Sequence, residues 1–392
     1  MVIPEGYKQT EIGVIPEDWE CKTLSNLFVI GHGKDQKQIE DKSGKYPILA
    51  TGGIIGYTNS FLWDKPSALI GRKGTINKPQ YIEKPFWTID TLFYTKIFDN
   101  VCSKYVYYLF CTIDWFSLNE ASGVPSLSSN NIEKVVCAIP TLKEQQRISE
   151  ALSDVDGMIA SLEKLIEKKK AIKQGAMQEL LTGKKRLPGF SGEWKDDVIG
   201  KMGDFYSGLS GKSKKDFDCG DACYITFLNV LLNVKIDTSM LASVDVKENE
   251  PQNAVQKGDL FFNTSSETPE EVGMCAVLDE DLKNTYLNSF CFGFRLKDDT
   301  HNPLFLSYYL NSDIGRKIMS VLAQGATRYN LSKNGFAETI VQLPTKEEQT
   351  DIASILSDMD NEIEALEQKL AKTRQLKQGM MQQLLTGKIR LV

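Results

Sequence analysis

The chain has 392 residues and a formal net charge of −6, with the apolar share of an ordinary soluble globular protein. That length allows two or three cores, and the acidic balance excludes a uniformly basic nucleic-acid binder, so any DNA contact must draw on local charge or on a partner. No apolar run approaches the roughly 20 residues of a membrane span, and the N-terminus lacks a basic-then-apolar signal pattern, so a cytoplasmic location without membrane contact is expected. The first segment, residues 1–140, opens on Ile15-Pro-Glu-Asp-Trp19 and runs through short strands, such as Ser67-Ala-Leu-Ile-Gly and Thr91-Leu-Phe-Tyr-Thr, between polar breaks. It closes with a tyrosine-rich helix, Lys104-Tyr-Val-Tyr-Tyr-Leu-Phe, and an alternating strand from Val135 to Ile139.

Residues 141–187 follow a different rule. Ile148, Leu152, Val155, Ile159, Leu162 and Ile166 alternate spacings of four and three, which is the seam of a paired long helix. Thr141 with Glu144 fits a capping box, and Gly183 fits a C-terminal stop. Residues 188–343 return to the strand-rich pattern, with Trp194, Asp259-Leu-Phe-Phe-Asn, Cys291-Phe-Gly-Phe-Arg-Leu, the helix Leu304-Phe-Leu-Ser-Tyr-Tyr-Leu and a strand from Thr339 to Leu343. Residues 344–392 then repeat the long helix, with Ile352, Leu356, Met359, Ile363, Leu366 and Leu370 on its seam, Thr345 and Glu348 at its start and Gly387 at its end.

The repeat is gapless from Pro140 to Leu187 and from Pro344 to Leu391, at a period of roughly 200 residues. About 40 residues per helix reach about 60 Å at 1.5 Å per residue. The seam is interrupted at Lys169-Lys170 and Thr373-Arg374. Gly175 and Gly379 then cost each helix about 1 kcal/mol, which suggests close approach of another backbone. The distance from the opening tryptophan to the proline before the helix differs by about 29 residues between copies, so length is constrained in the helices and free elsewhere. Two globular segments and two equal helices predict an α+β fold with approximate two-fold symmetry.

No dinucleotide, phosphate-loop or metalloprotease motif is present, and His32 and His301 alone make a histidine-built metal site improbable. The eight cysteines lack paired spacing and are expected to be reduced and mostly buried. Recognition chemistry is better represented. Arg72, Lys73, Asn77 and Lys78 form a basic loop between strands, the residue types that reach phosphates and base edges. Lys34, in Gly31-His32-Gly33-Lys34, is matched after the second opening tryptophan by Lys212, Lys214 and Lys215. Tyr57 follows the flexible Gly52-Gly53. Ser128 and Asn130 in the first segment correspond to a stretch around Arg328, Tyr329 and Asn330 in the second, the two sharing Leu127-Ser128 and Leu331-Ser332. Asn263 and Thr264 end a strand roughly where Gly71-Arg72-Lys73 does in the first copy.

These features resemble the specificity subunit of type I restriction–modification systems. The residues that carry the resemblance are Ile15-Pro-Glu-Asp-Trp19, Ile139-Pro-Thr-Leu-Lys-Glu-Gln-Gln and the doubled Leu-Leu-Thr-Gly-Lys ending. The resemblance implies two target-recognition domains, 1–140 and 188–343, each reading one half of a split double-stranded DNA site. It implies that the helices, 141–187 and 344–392, form an antiparallel coiled-coil spacer that docks two methyltransferase subunits. Ile148, Leu152, Ile159, Leu162, Gly175, Leu356, Ile363, Leu366 and Gly379 would serve pairing and docking. The chain itself would be non-catalytic and without a cofactor. S-adenosylmethionine would bind the adenine-methylating partners, and restriction–translocase subunits would complete the complex. The rival reading is a coiled-coil scaffold presenting two protein-interaction domains, which the acidic second segment favours.

Overall fold

The computed structural model describes residues 3–392. Residues 1–164 together with 367–392 form one compact unit, and residues 165–366 form the other. The boundary falls inside both long helices, so each unit owns one globular domain, the start of one helix and the end of the other. No helix of the described residues is long and apolar enough to cross a membrane.

In the first unit, the strand Ser67–Gly71 is buried along its whole length. It lies between Leu92–Ile97 and Gln80–Ile82, and Phe28–Gly31 pairs with the outer side of Leu92–Ile97 to complete an antiparallel sheet. A second sheet joins Tyr46–Ala50 antiparallel to Gly53–Thr58 and parallel to Trp87–Thr88. A third pairs Glu20–Thr23 with Val136–Ile139. The helix Ser103–Phe110 covers the core with Tyr105, Val106, Tyr108, Leu109 and Phe110 buried.

The second unit repeats this plan. Gly203–Ser207, Cys291–Leu296, Leu260–Asn263 and Cys275–Val277 make the antiparallel sheet. Phe217–Ile225 pairs antiparallel with Leu241–Val244 and parallel with Thr285–Leu287. Lys195–Val198 pairs with Ile340–Leu343, and the helix Pro303–Asn311 takes the place of the tyrosine-rich helix. The copies differ at their edges: the first adds a hairpin of Tyr7–Thr10 and Gly13–Pro16, the second a sheet of Ser265–Ser266, Tyr329–Leu331 and Ala323–Gln324.

One position pair shows how the plan survives sequence drift. Gly31 faces Tyr94 across the first sheet, and Tyr206 faces Gly293 across the second. A Cβ on Gly31 would stand 2.2 Å from the Tyr94 ring, and a Cβ on Gly293 would stand 2.1 Å from the Tyr206 ring. The ring lies over the strand opposite, so one member must be glycine, and the two copies make opposite choices.

The long helices span Leu142–Leu180 and Lys346–Leu384. Gly183 and Gly387 follow them with φ of 68° and 71°, the left-handed conformation expected of a glycine stop. In the first unit, Ile148 and Leu152 from the start of one helix share a core with Leu384 and Leu385 from the end of the other. In the second unit, Ile352 and Leu356 share a core with Leu180 and Leu181. Leu162 and Ile363 are buried, while Ile159 and Leu366 are half-buried.

Charged pairs fix the direction of these contacts. In the first unit Glu144 meets Arg390, Asp156 meets Lys377 and Glu163 meets Arg374. In the second Glu348 meets Arg186, Asp360 meets Lys173 and Glu362 meets Lys169. Numbers rise on one helix as they fall on the other, so the paired segments run antiparallel within each unit. Lys169 and Arg374, which interrupt the apolar seams, are members of these pairs. Thr373 is buried and bonds its hydroxyl to the Lys369 carbonyl.

Three expectations are corrected here. A Cβ on Gly175 or Gly379 meets nothing within 4 Å, so among the described residues no other backbone lies against either glycine on that side. Thr141 caps the Glu144 amide at 3.4 Å, but the Glu144 carboxylate does not turn back to complete a capping box. It binds Arg390 and the Trp19 indole instead, as Glu348 binds Arg186, because a buried carboxylate gains more from a guanidinium than from one amide. The cysteines are all free, but only Cys137, Cys275 and Cys291 are buried; Cys111 and Cys219 are exposed. Burial pushes the Cys137 and Cys291 thiols up to about 12, which leaves them inert at neutral pH.

Candidate nucleic-acid interface

In the first unit three loops converge at one end of the main sheet. The turn Ile89–Thr91 enters the strand Leu92–Ile97, and Leu92 N–H closes it on the Ile89 carbonyl at 3.0 Å. The loop after Phe28–Gly31 crosses it, with Lys34 N–H on the Thr88 carbonyl at 2.8 Å. Gly33 makes that crossing possible, since a Cβ there would lie 1.8 Å from the Ile89 carbonyl oxygen. The basic loop leaves Ser67–Gly71 and is tied to the same turn by Arg72 N–H on the Thr91 carbonyl at 2.8 Å. Leu127 N–H then binds the Arg72 carbonyl at 2.8 Å, and Lys73 bridges to Ser126.

His32, Lys34, Arg72 and Lys73 are therefore exposed around a single turn. His32 packs its ring edge against Phe93 at 5.0 Å, and the Arg72 guanidinium lies 6.0 Å from the same ring. Arg72 also donates to the Asp90 carbonyl at 3.3 Å. A guanidinium has five N–H donors in a fixed fork, so one such contact orients it and leaves donors to present outward. Asn77 and Lys78 are exposed further along the loop, beside Gln80, which ties the loop to the tip of the neighbouring hairpin through the Ala50 carbonyl at 2.8 Å.

The second unit builds the same end from different residues. Cys291 N–H binds the Asn288 carbonyl, Leu209 N–H binds the Leu287 carbonyl, Thr264 N–H binds the Phe290 carbonyl and Leu331 N–H binds the Thr264 carbonyl. Gly208 approaches Asn288 as Gly33 approaches Ile89, with a Cβ 2.1 Å from the carbonyl oxygen. These bonds put Thr264 where Arg72 stands, Leu209 where Lys34 stands and Phe290 where Thr91 stands. Ser265 pairs with Asn330, as Lys73 does with Ser126, and the Arg328 Nε donates to the Ser265 hydroxyl at 3.2 Å. Arg328, Tyr329, Asn330 and Thr264 thus gather at one place, with Tyr329 half-buried and Arg328 and Asn330 exposed.

Other expected contacts fall elsewhere. Lys212 is not the counterpart of Lys34; its ammonium is buried against Glu250 and the Asp245 carbonyl. Lys214 and Lys215 are exposed on the next turn, where Asp216 caps Ser213. Asn263 is fully buried, donating to the Ser265 and Glu271 carbonyls and accepting from Met274 N–H, so it shapes the loop and cannot reach a ligand. Ser128 caps the helix Ser129–Glu133 by accepting from Asn131 N–H, and Ser332 caps Lys333–Ala337 through Gly335 N–H. The shared Leu-Ser is therefore a buried leucine followed by a helix cap. Asn130 is exposed on the first turn after that cap, and Tyr57 is exposed opposite Pro47, away from its hairpin's tip.

Two groups escaped sequence reasoning. Phe290, 56% exposed, belongs to the second cluster, and an aromatic directly after two polar turn residues, Asn288-Ser289-Phe290, was its only signal. The second group is a pair of repeated clasps. Tyr108 donates to Asp156 at 2.8 Å beside Lys377, and Tyr308 donates to Asp360 at 2.7 Å beside Lys173. Glu144 accepts from the Trp19 indole and from Arg390, which also binds Asp18; Glu144 and Asp18 hold the Arg390 guanidinium above its ordinary range, and Arg390 in turn holds Asp18 below the usual carboxylate value. Glu348 raises Arg186 in the same way, but the buried Trp194 indole N–H has no partner among the described residues. Identity at charged positions of the repeat was the signal for these clasps.

A family model described as type I restriction modification DNA specificity domain matches residues 16–174 and 193–375. The chain is 25% identical to the type I restriction enzyme MjaVIII specificity subunit of Methanocaldococcus jannaschii over 99% of its own length and 96% of that protein. It is 27% identical to a putative MjaX specificity subunit of the same organism over 99% and 97%. Among solved structures, the S subunit of a type I restriction–modification system from M. genitalium shares the fold, with a TM-score of 0.64, 16% identity and 98% of each chain covered. With two matched segments over one duplicated plan, this chain belongs to the type I restriction–modification specificity subunits, which recognise DNA.

Proposed function

We propose that each globular domain reads one half of a bipartite double-stranded DNA site and that the long helices form an antiparallel coiled-coil spacer with pseudo-two-fold symmetry. The observation that carries this is the match between the two clusters: the same backbone bonds hold Lys34 and Arg72 in one copy and Leu209 and Thr264 in the other, leaving Lys34, Arg72 and Lys73 exposed at the first and Phe290 and Arg328 at the second. A duplicated scaffold with unlike exposed side chains is what two different half-sites require. Half-sites read from one DNA face sit about one helical turn, 34–36 Å, apart. Linking two modest binders raises overall affinity through effective concentration.

The chain acts without catalysis of its own. Two adenine-methylating subunits, holding S-adenosylmethionine, dock on the helices, and a restriction–translocase subunit joins them. The open faces at Gly175 and Gly379 support docking from outside the chain, since no described residue comes within 4 Å of a Cβ added at either. Partners also supply positive charge that an acidic chain lacks, because phosphate contacts dominate affinity for DNA. The test is co-expression with the neighbouring methyltransferase genes and sequencing of the modified genome. A bipartite motif is expected; a continuous motif, or none, contradicts the proposal.

A further inference from the structure

The two clusters occupy equivalent positions and carry different chemistry. Where the first has the exposed Lys34, Arg72 and Lys73, the second has Leu209 and Ser265, both buried, and the half-buried Thr264. Its flank is acidic: Glu267 and Glu270 are exposed on the following turn, and Glu271 accepts from the Ser266 hydroxyl at 2.8 Å. Arg328 donates to the Ser265 hydroxyl at 3.2 Å, and the exposed Lys333 holds its ammonium 4.9 Å from the Phe292 ring at the cluster's edge. Where the first cluster has the half-buried Thr91, the second has the exposed ring of Phe290.

That ring sits on a rigid base. Phe290 N–H donates to the Asn288 side chain at 2.8 Å, and its carbonyl accepts from both the Thr264 amide, at 2.9 Å, and the Thr264 hydroxyl, at 2.8 Å. Asn263 pins the strand end below it. An aromatic held 56% exposed on a short turn, its carbonyl bound by Thr264, presents an apolar surface that gains free energy when covered. On DNA the apolar feature that fits is the C5-methyl of thymine in the major groove, which phenylalanine and threonine methyls both contact.

We propose that the two domains divide affinity and readout unequally: the first supplies most of the charge-dependent binding, and the second reads its half-site with uncharged groups, Phe290 meeting a thymine methyl. This rests on the DNA-reading function above. Phosphate neutralisation makes affinity fall with salt in proportion to the charges engaged, whereas an apolar contact leaves that slope alone. The two domains therefore leave separable signatures in one titration.

The experiment uses the full chain assembled with its methyltransferase subunits, titrated with a duplex carrying the motif found by methylome sequencing, over a series of salt concentrations. Arg72→Ala with Lys73→Ala should weaken binding and lower the log–log salt slope by about one per charge removed. Phe290→Ala should weaken binding about tenfold with the slope unchanged. Replacing thymine by uracil in the second half-site should cost the unaltered complex about fourfold, the worth of one buried methyl, and cost the Phe290→Ala complex nothing. A Phe290→Ala complex with full affinity, or one that still discriminates thymine from uracil, overturns the proposal, as does a slope lowered equally by changes in either domain. If the unaltered complex shows no preference for the motif over a scrambled duplex, the DNA-reading function itself fails.

Discussion

Glu144 and Glu348 hold the most consequential charges in the chain, because each is buried and each joins the start of one long helix to the end of the other. Removing one partner of a buried pair leaves the other charge uncompensated, at roughly 3–5 kcal/mol. Glu348→Gln should lower the denaturation midpoint of the second unit by that order, read in urea with a probe such as Trp194. Replacing Glu348 and Arg186 together by leucine and methionine should recover most of the loss, because no orphaned charge remains. The two tryptophans give a finer test. Trp19 N–H binds Glu144 at 2.9 Å, whereas the Trp194 N–H has no partner. Trp19→Phe should therefore cost about 1–2 kcal/mol more than Trp194→Phe in thermal melts. Below the carboxylate range the first clasp loosens. Arg390 holds Asp18 below the ordinary carboxylate value of 3.8, so its contribution is intact above that pH and lost as pH falls through the depressed value. Acid titration of the Trp19 environment should report this, and Asp18→Asn should remove the transition.

At the scale of elements, the long helices were legible because a 4–3 apolar rhythm, a capping threonine and a terminal glycine all agree over about 40 residues. Which charge meets which was not legible, since Glu163 with Arg374 and Glu362 with Lys169 become neighbours only once the direction of pairing is known. The basic loop around Arg72 was readable, because charge between two apolar strands has few places to go. Lys212 was misplaced for the converse reason: a run of lysines does not reveal that Glu250 will bury one of them. Phe290 was missed because nothing in Asn288-Ser289-Phe290 says that the turn lies over Thr264. The glycines of the crossing loops are equally decisive. Gly33→Ala places a methyl 1.8 Å from the Ile89 oxygen, so it should displace the loop carrying Lys34 and weaken DNA binding, while Gly175→Ala, which meets open space, should raise helix stability by up to about 1 kcal/mol. Equal effects of the two changes on DNA binding would defeat that distinction.

At the scale of the whole chain, duplication accounts for both the constancy and the drift. Each unit needs the start of one helix and the end of the other, so the helices are held to equal length, 39 residues each. The exposed loops answer to no such rule, and the clusters have diverged from basic to nearly neutral on the same backbone bonds. If the helices set the distance between half-sites, removing one turn from both shortens each by about 5.4 Å and should narrow the unspecified gap in the methylated motif by about one to two base pairs. The central claim, that each domain reads its own half of the site, is tested most directly by exchanging residues 188–343 for the corresponding segment of a relative, co-expressing the chain with its methyltransferase subunits and sequencing the methylome. The account predicts a new sequence in one half of the motif, with the other half and the spacing unchanged; a change in both halves, or an unchanged motif, would contradict it.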